Sequence, residues 1–255
     1  MTTARTPAPK SPRRTEEQAF LASYDPEQFE RPSVTVDVVL LAPVEGQLHT
    51  LLIRRPEHPF KGLWSLPGGF VRMDESLDEA AARVLRDKTG LKKVFLEQLY
   101  TFGAPQRDPR TRVISVAYYA LVDPKRFSEI NVPGEDALLA RITPPKAAGP
   151  HTSVTLKSPD NKSLELAFDH ASILATTLER IRGKIDYTPI GFELLPKAFT
   201  LFQLQRVHEI VLVRKLNKDS FRRRMLASNQ LEATGEIQQD VDHRPASLYR
   251  FLPSN

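Results

Sequence analysis

Residues 69–91 read GFVRMDESLDEAAARVLRDKTGL, a glycine-led loop that turns into an amphipathic helix. Ser76 and Glu79 stand at the three-residue offset of a capping box. Leu77, Ala80, Ala81, Val84 and Leu85 recur at helical spacing, which predicts one buried face. Gly90 provides the stop, because glycine accepts the left-handed conformation that ends a helix. The stretch before it, RRPEHPFKGLWSLPGG (54–69), reads as a loop, with prolines at 56, 59 and 67 and glycines at 62, 68 and 69.

Working outward, 34–43 and 49–54 are rich in Val, Leu and Ile and read as strands around a turn at Gly46. Further strands are expected at 94–103 and 113–122, joined by the polar loop APQRDPRT. The stretch 143–153 reads as irregular. SLELAFDH (163–170) predicts a short strand leading into a helix over 171–185. After Tyr187 and Pro189 the order becomes helix, turn, helix, hairpin. Thr200 and Gln203 form a second capping box, and Leu204, Val207 and Val211 form an apolar stripe. LNKDS breaks that helix, and Asn217 or Asp219 is expected to cap the next, about 218–228, whose inward face is Phe221 and Met225. LEATGE and PASLYRF read as two strands around IQQDVDHR.

Composition narrows the function. The chain has 255 residues, 40% hydrophobic and 26% charged, so a packed core is expected rather than global disorder. It has no cysteine, which excludes disulfides, thiolate zinc sites and cysteine nucleophiles. No apolar run approaches membrane-spanning length, and the N-terminus lacks the apolar segment of a secretory signal. Together these point to a cytoplasmic protein without membrane partners. The six histidines show no metal-type spacing, and His170 beside Asp169 is expected to cap the helix that follows. No P-loop, G-x-S-x-G or Ser-His-Asp pattern appears.

The segment 69–91 resembles the Nudix box. Gly69, Glu75, Arg83, Leu85, Gly90 and Leu91 fall in register with that family's pattern, and the preceding LWSLPGG is typical of it. The family uses three carboxylates on this helix to hold a divalent metal and to activate water at a diphosphate. Those positions here are Val84, Asp87 and Lys88, of which only Asp87 can ligate a hard cation. The resemblance therefore implies a retained scaffold with lost or much weakened chemistry. It implies no catalytic residue, no required cofactor, no metal site, and at most weak Mg²⁺ binding. Glu75 and Arg83 remain as an ion pair beside the loop. The expected ligand set is Arg54, Arg55, Lys61, Trp64, Gly68, Gly69, Glu75, Arg83, Asp87, Arg107 and Asp108. Arginine and lysine suit diphosphate oxygens, Trp64 offers a ring face, and Asp108 suits ribose hydroxyls.

Between residues 190 and 230 eight basic side chains face three acidic ones. The cluster Lys218, Ser220, Arg222, Arg223, Arg224 lies on the second helix of the helix-turn-helix pattern, opposite Phe221 and Met225. In such modules that helix enters the major groove and the wing touches backbone. The expected DNA-contact set is this cluster with Thr200, Gln203, Arg214, Lys215, His243 and Arg244.

The union of a degenerate Nudix domain and a winged helix is similar to the Nudix-related transcriptional regulators. The stretches carrying the resemblance are 99–122, 169–187, 192–225 and 244–251. It implies a Nudix-type α/β/α sandwich with a mixed sheet over 31–186 and a winged helix over 187–255, after a disordered, basic, proline-rich tail over 1–30. It implies a homodimeric repressor of NAD-metabolism or sugar-utilisation genes that reads a palindromic operator. Its effector would be ADP-ribose or a related nucleotide or sugar phosphate. The rival expectation is a Nudix hydrolase, an ADP-ribose pyrophosphatase with an appended domain.

Overall fold

The computed structural model describes residues 12–130, 136–143, 154–239 and 245–253. The chain divides into two compact units, Met1–Pro32 and Ser33–Asn255. In the first, the expected featureless tail instead carries a helix, α1 (Pro12–Ser23). Pro12 sits where proline is tolerated, at the helix start, and Glu16, Glu17, Gln18, Ala19 and Leu21 are good helix formers.

In the second unit β1 (Ser33–Val44) and β2 (Gln47–Arg54) form an antiparallel pair around the turn at Gly46, as the apolar runs predict. Two short strands follow, β3 (Trp64–Ser65) and β4 (Gly68–Phe70), then helix α2 (Leu77–Thr89). Both halves of the Ser76–Glu79 capping box are formed, and Gly90 ends α2 in the left-handed conformation. Next come β5 (Phe95–Phe102), β6 (Val113–Leu121), the short helix α3 (Pro124–Ser128), β7 (Ala137–Thr143), β8 (Thr155–Lys157) and β9 (Ser163–Leu164). The hydrogen-bonded order is β5-β6-β1-β2-β7-β8-β9, with β3 on β2 and β4 on β1. Among the described strands only β1 and β6 run parallel, so the sheet is mixed.

Both faces of this sheet are covered. Along β1, Val36, Val38 and Leu40 pack with Ala80, Ala81, Val84 and Leu85 of α2, while Val39 and Leu41 face the opposite layer. That layer is α4 (His170–Lys184), through Ile173, Leu174, Leu178 and Ile181. Side chains alternate across a strand, so a run apolar at every position is what burial on both faces requires.

The winged helix follows: β10 (Phe199–Thr200), α5 (Leu201–Leu212), α6 (Lys218–Ala227), β11 (Leu231–Ile237) and β12 (Ser247–Phe251), with strand order β10-β12-β11. Its own core joins Phe192, Phe199, Leu204, Phe221 and Met225. A second face of α5, Val207 and Val211, belongs to the α4 layer of the large sheet. Arg182 of α4 donates to the Val211 carbonyl in the last turn of α5, where a cation also suits the helix dipole. No helix among the described residues is long and apolar enough to cross a membrane.

Candidate functional site

One end of the α4-side face of the sheet is polar. Thr35 and Asp37 of β1 and Ser115 of β6 occupy the positions that Val39, Ala117 and Leu121 fill further along. Thr35 and Asp37 line a cavity of about 300 Å³, at the small end of the range for ligand pockets, and Ser115 is buried behind them. Asp37 is buried, which is costly for a carboxylate unless it is paired. Here the Ser115 hydroxyl donates to it, and the Arg107 guanidinium lies 3.5 Å away.

Arg107 makes a two-pronged contact with Asp169, Nε to Oδ2 at 2.9 Å and Nη2 to Oδ1 at 2.6 Å. The expected helix cap at Asp169 and His170 is therefore not formed. The Asp169 carboxylate is spent on Arg107, and no side chain caps the first turn of α4. His170 turns inward instead. Its Nδ1 accepts from the Leu66 amide at 2.9 Å, and burial pushes its pKa down, which keeps it neutral.

On the rim, Arg55 donates to the Pro59 carbonyl and lies over the Phe168 ring, 4.7 Å from its centre. Burial, and after it the nearby Arg110 charge, lowers the Arg55 pKa. Asp108 accepts from the backbone amide and the guanidinium of Arg110, which hold its carboxyl below its ordinary value. Arg54, Gly68, Gly69 and Lys88 also line the cavity.

Of the expected ligand set, Arg54, Arg55, Gly68, Gly69, Arg107 and Asp108 line this cavity, and the other five do not. Trp64 of β3 pairs with Arg54 of β2 and packs, partly buried, against the α4-side core. Lys61 is exposed on the loop. Glu75 and Arg83 form their ion pair at 2.6 Å, which pulls the Glu75 carboxyl down to about 2 and ties the loop to α2. Asp87 is half exposed and pairs with Arg86. Asp108 is buried and already holds Arg110, so it is not the open acceptor expected for a ribose. The aromatic faces at the site are Phe70 and Phe168, which the sequence reading missed. Phe168 stands in the left-handed conformation, φ 54°, and nothing in the local sequence announces that.

The carboxylates do not fit a catalytic divalent metal. Val84 is buried, with its Cγ2 3.2 Å from where a Cβ on Gly69 would be. Asp78 accepts from the Tyr118 hydroxyl, Glu79 closes the capping box, and Asp87 faces Arg86. Among the described residues no group of three or more His, Cys, Asp or Glu side chains is placed to hold a metal ion.

In the winged helix, Asn217 caps α6 through the Ser220 amide, and Phe221 and Met225 point inward. Lys218, Ser220, Arg222 and Arg223 are exposed, and the two arginines and Lys218 have no ion-pair partner among the described residues. Three other expected contacts are partly neutralised: Arg224 and Arg214 both reach Asp186, at 3.3 and 3.4 Å, and Lys215 reaches Glu209 at 3.3 Å. Thr200 and Gln203 use their side chains to cap α5. His243 and Arg244 lie outside the described residues.

Comparison with known proteins matches this anatomy. The NUDIX domain model covers residues 31–162, and the model for the NrtR DNA-binding winged helix domain covers 191–251. The chain is 38% identical over 238 residues to the "ADPR responsive transcriptional repressor NtrR" of Acinetobacter baylyi, spanning 92% of this chain and 88% of that protein. A MutT/nudix family protein from Enterococcus faecalis superposes with a TM-score of 0.75 at 27% identity over 93% of each chain. Shewanella oneidensis NrtR, crystallised with a 27mer DNA, gives a TM-score of 0.69 at 33% identity over 86% of this chain and 93% of that one. The chain belongs to the family that joins a NUDIX domain to an NrtR DNA-binding winged helix.

Proposed function

We propose that this protein is a transcriptional repressor whose NUDIX cavity binds ADP-ribose or a related nucleotide or sugar phosphate and thereby alters operator affinity. One observation carries the reading: the cavity is lined by Arg54, Arg55, Arg107 and Arg110, which suit a diphosphate, and among the described residues no group of three or more His, Cys, Asp or Glu is placed to hold a metal ion. The relative from Acinetobacter, responsive to ADPR, and the relative from Shewanella, crystallised on DNA, support the same assignment. The working form is a cytoplasmic homodimer on a palindromic operator, since a two-fold pair of winged helices matches a two-fold site. It regulates NAD-metabolism or sugar-utilisation genes and needs no cofactor. Arg54, Arg55, Gly68, Gly69, Arg107 and Asp108 form the ligand wall, and Lys218, Arg222 and Arg223 lead the DNA contact.

The ligand shifts DNA occupancy only by its differential affinity for the DNA-competent and DNA-incompetent states, and by linkage DNA changes ligand affinity by the same factor. The test is a gel-shift titration on palindromes upstream of the adjoining genes, with and without saturating ADP-ribose. A reproducible shift in operator affinity is the expected result. Unchanged affinity with ADP-ribose and all related nucleotides and sugar phosphates overturns it. The same samples, given Mg²⁺ and assayed for AMP and ribose phosphate, test whether the chain is instead a pyrophosphatase.

A further inference from the structure

We propose that this cavity takes its diphosphate ligand without a divalent cation, the ammonium of Lys88 serving where a metal-dependent relative places its metal. The inference rests on the effector reading above and adds the chemistry of recognition. Lys88 lies in the last turn of α2 and lines the cavity, as do Gly68, Gly69 and Thr35. It falls at one of the three positions where the Nudix pattern carries a carboxylate. Of the other two, Val84 is in the core under Gly69, and Asp87 is turned to Arg86.

The rest of the wall argues the same way. Mg²⁺ demands several oxygen ligands in near-octahedral array. The two carboxylates among the described lining residues, Asp37 and Asp108, are each held by hydroxyl or guanidinium donors. Among the described lining residues, a dication entering here would meet Arg55, Arg107 and Arg110, and both acids are committed to other donors. A diphosphate meets Lys88 as a point charge and the arginines as planar forks. The lowered Arg55 pKa reflects cations crowded in a partly dry site, a tension that an anion relieves.

The experiment is calorimetric titration of the full chain with ADP-ribose, once in excess EDTA and once in excess Mg²⁺. Affinity within about twofold in the two buffers is expected, a difference of ~0.4 kcal/mol. In EDTA, Lys88→Gln is expected to lose about tenfold in affinity and Lys88→Glu more. Lys88 in the last turn also suits the helix dipole. A purely structural role would lower the melting temperature of Lys88→Gln and leave its affinity for ADP-ribose unchanged, which overturns the assignment of Lys88. Should Lys88→Glu not fold, Lys88→Gln decides. Wild-type binding that appears only with Mg²⁺ overturns the metal-free reading and leaves the effector standing. No binding in either buffer removes ADP-ribose as effector, and this inference falls with it.

Discussion

Gly68 leaves no room for a side chain. A Cβ there would stand 2.2 Å from the Asp37 carboxylate and 3.1 Å from the Val36 carbonyl, both fixed in β1. Gly68→Ala is expected to cost about 1–3 kcal/mol, the scale of overpacking, and to weaken ADP-ribose binding by displacing Asp37. Thermal melts and calorimetry check both, and an unchanged melt would show that the loop gives way freely. Val213 presents the opposite case. It ends α5 in the left-handed conformation, φ 54°, which strains a β-branched residue, and it is 45% exposed. Val213→Gly is expected to stabilise the protein by about 1 kcal/mol, read as a higher denaturation midpoint. A lower midpoint would mean that its contacts outweigh the strain. At this scale the sequence was legible where partners are local: a cap at Asn217 or Asp219, of which Asn217 serves, Glu75 with Arg83, and Val84 in the core. Arg107 and Asp169 were not paired in that reading, because 62 residues separate them and only the sheet brings them together. Asp37 did leave a trace, a lone acid inside the apolar run VTVDVVLL.

At the scale of elements, the α5–α6 corner is built around Glu209. Its carboxylate accepts from the Leu216 amide, Gln205 and Arg206, and it is pulled down to about 2 chiefly by the Leu216 amide. A carboxyl depressed in the fold contributes fully above its unfolded value of 4.5 and loses that contribution as pH falls toward 2. Glu209→Gln is therefore expected to cost about 1–3 kcal/mol at neutral pH, with the gap to wild type closing between pH 4.5 and 2. Denaturant titrations across that window check it, and a gap independent of pH would refute it. Helix α6 presents Arg222 and Arg223 outward because Phe221 and Met225 anchor the other side. Arg222→Ala or Arg223→Ala is expected to weaken operator binding about tenfold and leave ADP-ribose affinity unchanged. Loss of both activities would contradict the division of labour. Element types and limits on this unit followed closely from apolar period and capping boxes. The strands β3, β4, β7, β8 and β10 and the short helix α3 did not, since they are short or lack regular apolar alternation.

Across the molecule, α4 connects cavity to reading head. Its first turn is held through Asp169 by Arg107, and Asp186, just past its end, holds Arg214 and Arg224. Fifteen residues of helix span about 22 Å, so the two clamps are well separated. Asp186 thereby occupies two cations that DNA phosphates would otherwise attract. Asp186→Asn is expected to tighten DNA binding at low salt and to steepen its salt dependence by as much as roughly two phosphate charges. An unchanged salt slope would show that these arginines meet no phosphate. The composition shifts near Tyr187, and the winged-helix model matches from residue 191, but the sequence gave no sign that this stretch is packed shut. Val207 and Val211 of α5, with Ile190 and Leu194 before it, share one core with α4 and the large sheet.

That shared core makes the winged helix a poor cassette. Severed near Tyr187, it would carry Ile190, Leu194, Val207 and Val211 into water at roughly 1.5–3 kcal/mol each, on the order of the whole stability of a small domain. Such a fragment should clump or stay molten, whatever its affinity for a duplex. Grafting it onto a foreign sensor would succeed only if the graft also supplied the greasy seat that α4 and the sheet provide at home.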